Sequence, residues 1–185
     1  MIIGNGDIAS VLTDREDRIY FASGVSNSSE LRESEYYRET ELLLRQDKFK
    51  HLVYFGSLSI FYSDSRYARH KMMMENLVRK NFEHYTIIRM GNITWGKNPN
   101  TLINFIQNKI RTREPFEVKD VYRYVLEKDE FLYWINLIPD TWSCEMNIIG
   151  KRMKVKDIVK EYCYPWRFDG SFISNNPKQK LQVCI

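Results

Sequence analysis

The stretch LVYFGSLSIFYSDSRYARHK, residues 52–71, decides how the rest of the chain is interpreted. Its start, Leu52–Phe55, predicts a buried strand that ends in a serine-rich turn containing Ser57. Tyr67 and Lys71 follow on a predicted helix, and their spacing of four residues places phenol and ammonium on one helical face. A nearby cation favours the phenolate form of a tyrosine, and a serine at the strand end can hold a substrate oxygen beside it. The segment therefore contains a candidate acid/base site.

The Tyr-x-x-x-Lys spacing taken alone also fits an ordinary surface helix. The chain contains 12 tyrosines and 28 lysines and arginines in 185 residues, so such a pair arises easily by chance. The interpretation depends on what surrounds the pair.

The composition is that of one globular domain rather than a disordered chain, with 43% apolar and 14% aromatic residues. The net charge of +4 is spread along the chain, which gives no indication of nucleic-acid binding but suits an anionic small ligand. Cys144, Cys163 and Cys184 stand apart from one another and the three histidines are scattered, so no metal site is predicted. With neither a signal peptide nor a membrane-spanning stretch in evidence, we expect a soluble, cytoplasmic protein without membrane partners.

The chain begins with a short apolar run and a glycine turn. Gly4-Asn5-Gly6-Asp7-Ile8-Ala9 has the G-x-G-x-x-A spacing of a turn that binds a dinucleotide, where the start of a following helix through Val11 and Leu12 offers N–H groups to a phosphate. Equally, glycine turns precede many helices that bind nothing. The next predicted strand, Arg18–Ala22, ends in Ser23 and Gly24 without the acid that normally holds the adenosine ribose. One βαβ unit is therefore missing from the expected order.

The remainder alternates between helices and strands, which predicts a parallel sheet covered on both faces. The predicted helices are Glu30–Leu44, Tyr67–Arg79, Leu102–Ile110, Val121–Ile138 and Val155–Tyr162, and the predicted strands are Tyr85–Met90, Phe116–Val118 and Glu145–Ile148. His70 points away from the Tyr67 and Lys71 face and is predicted to be solvated. The tail after Pro165 has no clear period and is left unassigned.

In this order the segments resemble the extended short-chain dehydrogenase/reductase family, the NAD-dependent nucleotide-sugar epimerases and dehydratases. Four features carry the resemblance: the opening glycine turn, the segment LVYFGSLSIF, the Tyr67-x-x-x-Lys71 pair, and IIRMGNITWG after the next strand. VYRYVLEKDEFLYWINLI and EMNIIGKRMKVKDIVKEY are similar to later parts of the same family, so the resemblance spans about residues 1–165.

The resemblance implies a Rossmann-like sheet that binds NAD or NADP and a nucleotide-sugar substrate. Residues 1–185 would form one domain, with about 1–95 on the cofactor side and about 96–185 on the substrate side. Tyr67 would act as the acid/base, Lys71 would hold the nicotinamide ribose, and the catalytic hydroxyl would be Ser57, or Ser59 if the turn shifts by a residue. The implied cofactor-binding residues are Gly4, Gly6, Asp7, Ile8, Ala9, Ser23, Gly24, Tyr67, Lys71 and Asn92.

The chain departs from the family pattern in its shortened start, its missing ribose-binding acid and its short substrate-side part. Besides an epimerase, dehydratase or reductase, the sequence therefore permits a non-catalytic dinucleotide- or nucleotide-sensing module, or a structural subunit that binds nothing. Two copies could pair as a homodimer through the helices around the central strand, Glu30–Leu44 and Tyr67–Arg79, although the same apolar residues could equally form an internal core.

Overall fold

The structure, a computed structural model, describes residues 1–163. Eight strands lie within these residues: β1 (Ile2–Ile3), β2 (Arg18–Phe21), β3 (His51–Ser57), β4 (Tyr85–Met90), β5 (Asn92–Ile93), β6 (Tyr122–Leu126), β7 (Cys144–Ile148) and β8 (Lys151–Lys154). Five strands form a parallel sheet in the order β1-β2-β3-β4-β7, and β5, β6 and β8 form a smaller mixed sheet in that order.

The helices cover the large sheet on both faces and support the small one. They are α1 (Glu33–Leu44), α2 (Arg66–Asn81), α3 (Leu102–Thr112), α4 (Lys128–Asn136) and α5 (Val155–Ile158), with short 3-10 helices at Ala9–Val11 and Leu58–Phe61 and a π-helical turn at Val159–Cys163. At the start of α2 the Ser65 hydroxyl accepts a hydrogen bond from the Ala68 amide, which satisfies one of the free N–H groups there.

The central strand is apolar on both sides because helices pack on both faces of the sheet. One face packs against α1 and α2, where Leu43, Met74 and Val78 meet Leu52 and Tyr54 of the sheet. On the opposite face the core contains Val53, Phe55 and Ile88, covered by Phe131 and Ile135 of α4. Such continuous burial is typical of a parallel sheet.

A third apolar cluster supports the small sheet. It joins Ile103 and Ile106 of α3 to Val125, Met153 and Ile158. This third cluster holds the part of the chain that follows β4 beside the carboxyl ends of the large sheet.

The order of the large sheet explains the shortened start of the chain. In the common doubly wound order 3-2-1-4-5-6, the first strand is central and two further strands lie beyond it. Here β1 is an edge strand that pairs with β2, and only 14 residues connect Ile3 to Arg18. The prediction of a Rossmann-like parallel sheet that lacks one βαβ unit is confirmed.

Several sequence predictions are wrong in detail. The predicted helix Val121–Ile138 contains strand β6 before α4 begins, because Tyr122–Leu126 pairs with β8. No strand forms at Phe116–Val118, and the helix expected after the glycine turn is only the 3-10 turn Ala9–Val11. The predicted helix Val155–Tyr162 divides into α5 and the π-helical turn.

His70 is buried rather than solvated, because its ring lies between α1 and α2. In the methionine run Met74 is a core residue, whereas Met72 and Met73 are exposed. Pairing of two copies through α1 and α2, and the division near residue 95, stay predictions. Residues 164–185, which include Cys184 and most of the unassigned tail, lie outside the described residues.

Replacement of Phe131 tests how far α4 holds the sheet. Its side chain is fully buried and its ring contacts Phe55 and Trp95, at centroid distances of 6.0 and 5.2 Å. We expect Phe131→Ala to lower the free energy of unfolding by about 3–5 kcal/mol in urea denaturation. Tyr133→Ala, on the exposed side of α4, is the control and should change it by less than about 1 kcal/mol. Equal effects of the two changes would contradict this packing.

Candidate functional site

The residues that the sequence singles out converge on the carboxyl ends of the parallel strands. Gly4 follows β1, Ser23 lies just beyond β2, Ser57 is the last residue of β3, and Asn92 comes two residues after β4. Open α/β sheets bind their ligands at this edge.

Tyr67 and Lys71 lie on the first two turns of α2, above the end of β3. Tyr67 is half-buried, whereas Lys71 is only 3% exposed. The Lys71 Nζ lies 5.8 Å from the centroid of the Tyr67 ring. The predicted placement of phenol and ammonium on one helical face is therefore present in the structure.

The Lys71 ammonium is engaged by buried partners. It donates hydrogen bonds to Glu39 Oε1 at 3.0 Å and to Tyr54 Oη at 3.2 Å. Burial by itself would lower the pKa of Lys71, but the Glu39 carboxylate, with smaller contributions from neighbours that include Glu75, raises that pKa on balance. An ammonium has three N–H donors, so one of them has no acceptor among residues 1–163.

Gly24 lies directly against this ion pair. A Cβ atom at Gly24 would be 2.6 Å from Lys71 Nζ and 2.7 Å from Glu39 Oε1, so any larger residue would displace the charged groups. Gly24 was predicted as a cofactor-side residue, and the structure brings it together with the catalytic candidate Lys71.

The two candidate hydroxyls differ in their surroundings. Ser57 Oγ accepts a hydrogen bond from the Ser59 amide at 3.2 Å, which leaves its O–H free to donate. Ser59 Oγ is buried and has no hydrogen-bond partner among the described residues. Ser57, the hydroxyl at the end of β3, stays the first choice and Ser59 the alternative.

The glycine turn is open towards solvent. Gly4 adopts a φ of 121°, and a Cβ there would lie 2.4 Å from the Ala22 carbonyl oxygen, so only glycine lets β1 end so close to β2. Gly6 is exposed, with open space where a side chain would be. Ile8 and Ala9 pack inward. The three-residue 3-10 turn that includes Ala9 presents a weaker dipole to a phosphate than the start of a full α-helix would.

The Asp7 side chain organises a neighbouring loop instead of facing the turn. Its carboxylate accepts hydrogen bonds from the amides of Lys97 and Asn98 at 2.8 and 3.0 Å, and its carbonyl oxygen accepts one from Trp95 Nε1 at 3.1 Å. Gly96 has a φ of 96° and would clash with Asp7 if it carried a side chain. Asp7 therefore ties the loop after β5 to the glycine turn.

Ser23 and Asn92 also make contacts within the protein. Ser23 Oγ accepts a hydrogen bond from the Arg38 guanidinium at 3.1 Å, and Asn92 Nδ2 donates to the Tyr124 carbonyl oxygen at 3.0 Å. Both residues lie at the predicted edge of the sheet, where these hydrogen bonds connect them to α1 and to β6.

An open groove of about 640 Å³ begins one residue beyond Ser57. Its aromatic and cationic lining comes from the 3-10 helix after β3 and from the small sheet: Phe61, Tyr62, Tyr122, Arg123, Tyr124 and Arg152, with Leu58, Asn147 and Ile149 completing it. The Arg123 guanidinium lies 5.8 Å from the centroid of Tyr62, and that of Arg152 lies 3.7 Å from the centroid of Tyr122.

Sequence reasoning missed the groove because it assigned Tyr122–Leu126 to a helix. The alternation Tyr122-Arg123-Tyr124 is the signal that would have indicated a strand with one aromatic face. Within residues 1–163, no group of three or more His, Cys, Asp or Glu side chains is arranged to hold a metal ion. Nor does any helix in that range have the length and apolar character needed to cross a bilayer.

No protein-family profile matches the chain, and no curated protein matches its sequence. Solved structures do match its fold. WbmG from Bordetella bronchiseptica, in complex with NAD and UDP, superposes with a TM-score of 0.60 at 12% identity, over 78% of this chain and 55% of that one. UDP-glucose 4-epimerase from Thermotoga maritima, with UDP-glucose, gives 0.60 at 14% identity, over 78% and 59%. dTDP-4-dehydrorhamnose reductase from Bacillus anthracis, with NADP, gives 0.60 at 16% identity, over 78% and 61%.

These proteins have the fold of the extended short-chain dehydrogenases/reductases. The fold is shared. The chain spans between about half and three-fifths of the length of these solved proteins. Identities of 12–16% show the fold alone, so activity, cofactor and substrate are matters for proposal.

Removal of the Asp7 carboxylate tests its role in the loop. We expect Asp7→Ala to destabilise the protein by about 1–2 kcal/mol, because two amides lose a charged acceptor. Hydrogen–deuterium exchange at Lys97 and Asn98 should become faster. Glu16→Ala, at an exposed carboxylate, is the control and should leave that exchange unchanged. Unaltered protection of both amides in Asp7→Ala would show that the side chain does not hold the loop.

Proposed function

We propose that this protein is an NAD- or NADP-dependent enzyme that acts on a nucleotide-linked sugar as an epimerase, dehydratase or reductase. The observation that carries the proposal is that the Lys71 amine lies next to both Gly24 and the Tyr67 ring at the carboxyl edge of a Rossmann-like sheet. The loop after β2, which contains Gly24 and is called the cofactor-side loop below, thus lies next to the candidate acid/base pair. The shared fold of nucleotide-sugar enzymes supports the same assignment.

The residues present fit the nicotinamide half of such a cofactor better than the adenosine half. The exposed turn at Gly6 leaves room for a pyrophosphate, and Gly24 leads from there to the amine of Lys71. Beyond β1, residues 1–163 provide neither a further strand nor an acid for the adenosine ribose. When bound, the nicotinamide ring would supply hydride transfer to or from the sugar.

The roles of the side chains follow from their chemistry. The Tyr67 phenol would exchange a proton with a sugar hydroxyl, and Ser57 would hold the same oxygen by a hydrogen bond. The remaining N–H of Lys71 would contact the nicotinamide ribose, and its positive charge would stabilise negative charge on the phenol oxygen.

The groove suits the nucleotide part of the substrate. Aromatic rings such as Tyr62 and Tyr124 offer stacking surfaces for a base, and the guanidinium groups of Arg123 and Arg152 match a diphosphate. Because the groove starts next to Ser57, a sugar attached to that diphosphate would extend towards Tyr67.

A second candidate is a non-catalytic module that senses a nucleotide. The edge position of β1 and the short 3-10 turn after the glycines favour it, since both weaken the contacts expected for a full dinucleotide. The two candidates share ligand binding and differ in turnover, so one series of measurements separates them.

The first measurement is fluorescence titration of the purified protein with NADH and NADPH. Saturable binding is compatible with both candidates, whereas its absence would overturn the NAD- or NADP-dependent enzyme. Turnover is then measured with a panel of UDP- and dTDP-linked sugars, with the sugar products resolved by NMR. Binding without turnover of any sugar would favour the sensing module.

Replacement of Tyr67 gives the sharper test of catalysis. We expect Tyr67→Phe to lower kcat by about 10²–10⁴-fold, because the proton-transferring group is lost, while NADH affinity stays within about threefold. Tyr37→Phe changes an exposed tyrosine on α1 and should leave both quantities unaltered. Retained turnover in Tyr67→Phe would remove this residue from the mechanism.

A further inference from the structure

The most completely buried carboxylate near the site belongs to Glu39, on α1. It is fully shielded from solvent. Its Oε2 accepts hydrogen bonds from the Val25 amide at 2.7 Å and from His70 Nε2 at 3.0 Å, and its Oε1 accepts from Tyr54 Oη at 2.8 Å and Lys71 Nζ at 3.0 Å. One side chain thus connects α1 to the loop after β2, to β3 and to α2.

Both members of the Glu39–Lys71 pair are ionised. Burial alone would raise the pKa of Glu39, but Lys71 and the hydrogen bonds around the carboxylate hold it well below its usual range. Burial and the Glu39 charge together raise the pKa of Tyr54 well above its usual value, so the Tyr54 hydroxyl stays a donor to the carboxylate. The lysine that the proposed mechanism uses therefore has a dedicated counter-ion.

The pair also determines the space beneath the cofactor-side loop. The Lys71 amine and the Glu39 carboxylate occupy the volume that a side chain at Gly24 would need. The hydrogen bond from the Val25 amide to the Glu39 carboxylate holds the same loop one residue further on. Movement of the carboxylate would therefore shift Lys71 and the loop together.

We propose that Glu39 is a positioning residue of this site, which holds the Lys71 ammonium against Gly24 and beneath Tyr67 and supplies the negative charge that lets a buried ammonium persist there. Its effect on Lys71 is a property of the fold, and its catalytic consequence rests on the proposed function. Glu39 acts through Lys71 and does not itself touch the sugar.

The titratable groups that face Lys71 make the consequence of losing Glu39 predictable. On α1 they are Glu39 and Tyr36, on β3 Tyr54, and on α2 Tyr67, His70 and Glu75. In Glu39→Gln the nearest negative charge disappears while burial remains, so the pKa of Lys71 falls. Lys71 then loses its proton at a lower pH than it does in the wild type.

The test compares the pH dependence of kcat/KM in the wild type and in Glu39→Gln. We expect the alkaline limb of the profile to move to lower pH by about one unit or more in the variant, with the largest activity retained at acidic pH. Glu41→Gln, two positions along α1, is the matched control and should leave both limbs in place. A uniform loss in Glu39→Gln with unmoved limbs would overturn the proposal, because a merely structural carboxylate produces that result.

A second measurement does not require turnover. The side-chain amine of Lys71 can be titrated by NMR, with the resonance assigned from its absence in Lys71→Met. A lower titration midpoint in Glu39→Gln supports the proposal even if no sugar is turned over, in which case only the proposed function fails. An unchanged midpoint overturns the proposal whatever the activity.

A double variant covers the case in which Glu39→Gln does not fold. Glu39→Gln/Lys71→Met removes both charges, and we expect it to regain folding because no uncompensated ammonium remains. Failure of the double variant as well would show that Glu39 serves its hydrogen bonds to Val25 and Tyr54 rather than Lys71, and would overturn the proposal.

Discussion

A carboxylate that water cannot reach organises the carboxyl edge of this sheet. A buried charge is costly unless it is paired and hydrogen-bonded, and Glu39 meets both conditions with partners from three other segments. Because the carboxylate binds all of these partners, the start of α2, the loop after β2 and the middle of β3 are held in place by one side chain of α1. The placement of Tyr67 depends on that arrangement.

The second constraint is the reduced sheet. With β1 at its edge, the half of the sheet that would follow the first strand in a complete doubly wound fold is missing between Ile3 and Arg18. The catalytic candidates lie on the retained half, next to the groove formed with the small sheet. The described residues thus contain the elements that carry the catalytic candidates and lack further strands beyond β1.

The sequence was sufficient for the sheet and for the central strand and helix. Their signals are local, since β3 is a continuous apolar run and α2 has a clear helical stripe through Lys71, Met74 and Val78. The assignment of β6 to a helix failed because its short alternating pattern adjoins the longer helical pattern of α4. Strand pairing with β8, a contact distant in sequence, decides between the two.

The central carboxylate could not be found in the same way. Helix α1 contains four glutamates, and a solvated face is the ordinary position for such residues. Glu39 shares a helical stripe with buried Tyr36 and Leu43, which is the one local hint of its burial. Its partners come from residues 25, 54, 70 and 71, so only the folded chain shows that Glu39 contacts a lysine. The burial of His70 was missed for the same reason.

The most direct measurement is a crystal structure of the protein soaked with NAD. The account predicts density across the Gly4–Ala9 turn, with a nicotinamide ribose hydroxyl within about 3.5 Å of both Tyr67 Oη and Lys71 Nζ and with the Glu39–Lys71 contact intact. A nucleotide bound away from this edge, or a Lys71 that no ligand atom approaches, would contradict it.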